Sequence, residues 1–210
     1  QIIGGGDNAI SGNTAIGFSA GRENVTGTHN TYIGNSAGEG SNGNSNGYNT
    51  AVGSQALVAV TTGNYNTALG YQAGDSLTSG VSNVLLGRGT GATMTEADEM
   101  VLIGNDAGAS INHATAADGT VAVGYSALQA LTSGAGNLAI GYQAMLTHTT
   151  GSRNLAIGHQ AMMDTDHHAD VLGSTDNIFI GYQSGAGTWE TNDSNYNVAV
   201  GNYTMDANGV

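Results

Sequence analysis

The residues best suited to chemistry fall in two stretches. His167 and His168 follow Asp164 and Asp166 in Met163-Asp-Thr-Asp-His-His. Imidazole and carboxylate side chains together make ligands for a divalent metal, so Asp164, Asp166, His167 and His168 are the candidate metal set, and no other cofactor is expected. Their spacing matches no established ligand motif, which favours a solvated polar loop. The second stretch holds Trp189, the single Trp of the chain. The apolar face of a sugar stacks on such a ring, and Asp193 and Tyr196 complete a candidate ligand-binding set. The competing role for Trp189, packing its loop against a neighbouring subunit, is the one we favour. A third stretch, Thr95-Glu-Ala-Asp-Glu99, is acidic but lacks the alternating spacing of a calcium loop, and reads as an exposed turn.

Catalytic constellations are harder to find. The chain has no Gly-x-Ser-x-Gly elbow, and its three basic residues are all Arg, so no phosphate-loop lysine exists. Acidic residues are too scattered to nominate a pair, and the expectation is a protein that is not an enzyme, with polysaccharide cleavage on a solenoid face as a minor alternative. A net charge of −13 excludes binding to nucleic acid through phosphate neutralisation and disfavours anionic membrane surfaces. No Cys is present, so disulfides and thiolate metal sites are excluded. No apolar run of about 18 residues occurs, so direct membrane insertion is not expected.

The elements that must carry these residues are set by a repeat. Copies align on a glycine: Gly17, Gly34, Gly53, Gly70, Gly87, Gly104, Gly124, Gly141, Gly158, Gly181 and Gly201. Typical copies read Asn-Thr-Ala-Leu-Gly70-Tyr-Gln-Ala and Asn-Leu-Ala-Ile-Gly141-Tyr-Gln-Ala. Six of the ten intervals are 17 residues, and the others are 19, 20, 20 and 23, so the unit is 17 residues with occasional insertions. Such periodicity means a stack of small units that bury a core only together. The expected fold is an all-β parallel solenoid, a β-roll of about eleven short coils over residues 13–210, with residues 1–12 as a degenerate or capping coil. At about 4.8 Å per coil the rod is roughly 50 Å long.

Positions one and three before the glycine are aliphatic or β-branched, as in Leu155 and Ile157, and share one face of a strand four or five residues long. The residue between them is usually Ala and faces the other way. We place this Ala row on the outside of the coil, where it suits close subunit packing, and expect a homotrimer that buries it. The tyrosines after the glycine (Tyr71, Tyr125, Tyr142, Tyr182), with Phe18 and His159 in equivalent places, form a ladder that reads as structural. Tyr32 and Phe179 replace the usual Ala.

At Asn154-Leu-Ala-Ile-Gly158 and Asn197-Val-Ala-Val-Gly201 the chain resembles the head repeats of YadA-like trimeric autotransporter adhesins. The longer form, with Gly-Tyr-Gln-Ala at Gly70 and Gly141 and Thr-Gly-x-x-Asn before the next strand, looks like repeats of phage tail fibres. The resemblance implies a left-handed roll, assembled as a homotrimer, located outside the cell on a virion fibre or a bacterial surface, and contacting a host glycan or protein. The function expected is a structural or adhesive fibre segment presenting loops for attachment. The alternatives are a spacer without a ligand and, less favoured, a polysaccharide-degrading solenoid.

Overall fold

A computed structural model describes residues 12–41, 43–112, 117–164, 173–187 and 195–206. Every motif copy contributes one strand of three residues, from β1 (Thr14–Ile16) to β11 (Val198–Val200). The eleven strands form one parallel sheet in strict sequence order. Register follows the repeat, so that like sits on like: Thr50 pairs with Thr67, Ala51 with Ala68, and Val52 with Leu69. Each turn of chain therefore advances by one strand, which makes a parallel β-solenoid, and no helix occurs among the described residues.

The strands are shorter than the pattern predicts because the chain bends at both ends. At Gly70 the backbone has φ +139°, and an added Cβ would lie 2.7 Å from the carbonyl carbon of Gly87 in the next coil. Only glycine fits such an approach. Further bends come from left-handed residues at three places in each coil, seen at Tyr65 (φ 59°), Gln72 (φ 56°) and Gly74 (φ 59°). Leu57, Leu128, Met145 and Met162 also take this conformation, although a side chain makes it costly by about 1–2 kcal/mol. The neighbouring coils, which bend the same way at the same position, hold them there.

The Asn that opens each motif joins successive coils. The Asn66 side-chain carbonyl accepts from the backbone N–H of Asn83 at 3.0 Å and from its amide at 2.9 Å, and the Asn66 amide donates to the carbonyl of Gly80 at 2.8 Å. The same pattern runs through Asn137, Asn154, Asn177 and Asn197. Met100 and Thr120 interrupt it. These buried amides are stable because their polar atoms are paired.

The two faces of the sheet are exchanged relative to the sequence expectation. The central residue of each strand, usually Ala, points into the coil and is buried (Ala51 is 0% exposed), whereas the flanking residues point out: Ile16 is 52% exposed, Leu69 50% and Val200 64%. The placement of the Ala row on the outside is therefore corrected, and subunit packing cannot use it. The physical reason is space. A coil this narrow accepts a methyl at the strand centre plus one larger side chain on the opposite wall.

That second side chain comes from the position four after the motif glycine. Coils with Ala122, Ala139 and Ala156 pair it with Leu128, Met145 and Met162, all buried. Coils with a large central residue have glycine there instead: Tyr32 with Gly38, Leu102 with Gly108, Phe179 with Gly185. Where both are small, a neighbour leans in; a Cβ on Gly74 would lie 2.6 Å from Leu85 of the next coil. The inward turn of Tyr32 and Phe179 thus fills a space that paired glycines leave open. Burial pushes the Tyr32 hydroxyl well above the usual tyrosine range, and it donates to the Asn46 side chain at 2.6 Å. A third core row comprises Val60, Leu77, Met94, Ile111, Leu131 and His148. His148 Nε2 lies 3.1 Å from the Gly151 carbonyl oxygen and 3.2 Å from the Asn154 amide nitrogen.

Candidate functional site

The outward side of the sheet is the most distinctive surface of the molecule. One column runs Thr14, Thr31, Thr50, Thr67, Val84, Val101, Val121, Leu138, Leu155, Ile178, Val198. The other runs Ile16, Ile33, Val52, Leu69, Leu86, Ile103, Val123, Ile140, Ile157, Ile180, Val200. None of these side chains is buried in the single chain, and no strand carries a charged residue. A chain with net charge −13 keeps all of it off this face. The strip is roughly 50 Å by 10 Å from strand spacing and rise, or on the order of 500 Å², comparable to the ~300–600 Å² of the largest patch on a typical monomer. Its regularity and lack of charge set it apart.

Aromatic rows flank the strip. Before the opening Asn, His29, Tyr48 and Tyr65 stack with centroids 4.9 and 5.1 Å apart. After the glycine, Tyr125, Tyr142, His159 and Tyr182 stack at 5.3, 4.9 and 5.1 Å. The second row is the tyrosine ladder predicted from sequence, although Phe18 and Tyr71 take no part in the stack. The first row was missed; its signal is an aromatic recurring immediately before Asn30, Asn49 and Asn66. Stacking occupies both faces of the interior rings, so a sugar has no open ring face to lie on there. Glutamines beneath the second row bond from coil to coil, Gln160 to Gln143 at 3.1 Å and Gln183 to Gln160 at 2.9 Å.

Charge sits on the bends. Arg22 pairs with Glu23 and Glu39, Arg88 with Asp106, and Arg153 with Asp176. Thus all three basic side chains are engaged. The Arg153 guanidinium holds the Asp176 carboxyl below the usual range through two hydrogen bonds, at 2.7 and 2.8 Å. These are exposed pairs of small energetic weight.

Of the predicted site residues, Asp166, His167, His168, Trp189 and Asp193 lie outside the described residues. Asp164 is half-buried in a turn, and Tyr196 is exposed with its backbone in the left-handed region. No group of three or more potential ligand side chains gathers among the described residues. The acidic stretch at 95–99 is partly structural, since the Asp98 carboxylate accepts from the Val81 N–H at 2.7 Å. Compared with known protein families, curated proteins and solved structures, the chain matches none. No described helix is long and apolar enough to cross a membrane.

Proposed function

We propose that this chain is a structural, adhesive fibre segment that self-associates through the outward sheet face as a parallel homotrimer. The observation that carries the reading is the uncharged strip along all eleven strands, aliphatic throughout in one column and from Val84 onward in the other. Exposed apolar strips of this regularity mark interaction surfaces, and a second copy offers the same length and spacing. Burying about 500 Å² per chain is worth on the order of 10 kcal/mol before association costs. The role assigned to the Ala rows in the sequence reading passes to these aliphatic columns. The resemblance to trimeric adhesin heads and tail-fibre repeats supports the trimer, the left-handed roll and an extracellular place on a virion or bacterial surface. The fibre would present its inter-coil loops to a host glycan or protein, where many weak contacts sum, and it is not an enzyme. A spacer without a ligand is the second reading, favoured by the aromatic rows being engaged with themselves.

Light scattering on the purified chain and on Leu69→Glu and Ile140→Glu decides the assembly. A native mass near three times 21.0 kDa that falls to one chain in the variants, with coil structure kept, supports the proposal. A soluble wild-type monomer overturns it. Binding of the assembly to intact host cells or glycan arrays then separates adhesin from spacer.

A further inference from the structure

The geometry points to a modification site of a kind unrelated to assembly: two tyrosine pairs held for oxidative coupling into dityrosine, which would staple adjacent coils. Tyr48 and Tyr65 stack at 5.1 Å with their planes 10° apart, and Tyr125 and Tyr142 at 5.3 Å and 11°. All four are exposed. In-register stacking sets the carbons beside each hydroxyl opposite those of the next ring at about the ring spacing. Coupling requires the two rings to turn from stacked to edge to edge, a movement open to exposed side chains already held side by side, so no diffusive encounter is needed.

The other tyrosines lack this arrangement. Tyr32 is buried. Tyr71 stands in register with Ser54 and Arg88, and Tyr196 with Asp176. Tyr182 stacks on His159 and meets Tyr203 at 71° with a contact between their hydroxyls, so this pair is not stacked in register and lies in a third fragment, after Arg153. Both competent pairs lie in the flanking rows and outside the aliphatic columns, so the site exists in a single chain and does not depend on self-association.

The oxidant required is a peroxidase-type one-electron acceptor using hydrogen peroxide. It removes one electron from each phenol as the hydroxyl proton leaves, giving two phenoxyl radicals. The radicals join through one carbon–carbon bond between ring positions adjacent to the oxygens. The hydrogens on those carbons pass through water to the oxygens and restore two phenols. The pair loses two electrons and two protons, and the peroxide becomes two waters. Each bond would close a 17-residue loop, since 65 − 48 and 142 − 125 are both 17.

The test treats the full chain with a heme peroxidase and hydrogen peroxide, reads dityrosine fluorescence, then denatures and cleaves after arginine. Tyr48 and Tyr65 fall between Arg22 and Arg88, and Tyr125 and Tyr142 between Arg88 and Arg153. The expected result is two fragments of unchanged size, each lighter by two hydrogens, and loss of both in Tyr65→Phe/Tyr142→Phe, which keeps the stacks. Three results overturn the proposal: no dityrosine in these two fragments while free tyrosine couples in the same mixture, coupling found only as fragment dimers, or a signal that persists in these two fragments of the double variant.

Discussion

The ring of Tyr32 occupies the space beside Gly38 where a side chain would stand, so that a Cβ on Gly38 would overlap the ring edge. The same exchange of large for small recurs at Phe179 and Gly185. Gly38→Leu alone should therefore destabilise the solenoid by about 1–3 kcal/mol through overpacking, and Tyr32→Ala alone by about 3–5 kcal/mol. The combined variant reproduces the Ala51–Leu57 coil and should be more stable than the sum of the two, by about 1–3 kcal/mol. Thermal melts of the four chains measure this coupling; strict additivity would refute the packing rule.

Asn66 bridges three coils through buried hydrogen bonds to Asn49, Asn83 and Gly80. Asn66→Ala leaves the Asn83 N–H and the Gly80 carbonyl without these partners, a loss of roughly 2–4 kcal/mol. Hydrogen exchange should show the Asn83 amide opening faster, while amides near Asn177 stay protected.

Ser82 is exposed and held at φ 60°. Ser82→Gly relieves a left-handed side chain, and net of the greater freedom of glycine in the unfolded chain it should stabilise by about 0.5–1 kcal/mol. An unchanged or lower melting temperature would count against the strain.

The Asp75 carboxylate has one buried oxygen, Oδ1, without a hydrogen-bond partner among the described residues. Burial raises its pKa above 3.8, with bonds from its own and the Ser76 backbone N–H opposing. An acid whose folded pKa is raised destabilises the fold at neutral pH, and the penalty fades as pH falls through the folded value toward 3.8. Asp75→Asn should melt higher than the natural chain at neutral pH, and the gap should close on acidification. A gap that widens in acid would reverse the assignment.

The coil unit was legible because Asn, the small strand and the bending glycine recur together; each of the eleven glycines from Gly17 to Gly201 follows a strand directly. Which side faces in was not legible. Both faces of Leu138-Ala-Ile140 are apolar, so alternation carries no sign, and the usual preference for burying the larger residue gives the wrong answer when the coil has room only for a methyl. The left-handed bends at Gln72, Leu128 and Met145 were hidden for a different reason, since these residue types rarely adopt that conformation alone and do so here under the constraint of neighbouring coils. Asp164 and Tyr196 were named from the composition of their loops, and the residues proposed to act with them lie outside the described residues.

The constant filling of each coil bears on how such a chain can change length. Around Ala122, Ala139 and Ala156 each layer is complete in itself, carrying its own Leu128, Met145 or Met162. Removing or duplicating one such 17-residue segment by recombination between like DNA stretches would leave matched surfaces on both sides. Around Gly74 the layer borrows Leu85 from its neighbour, and a breakpoint between them would open a void. The interior thus divides the rod into stretches where excision is tolerated and junctions where it is not, an inheritable grain running along an outwardly uniform molecule.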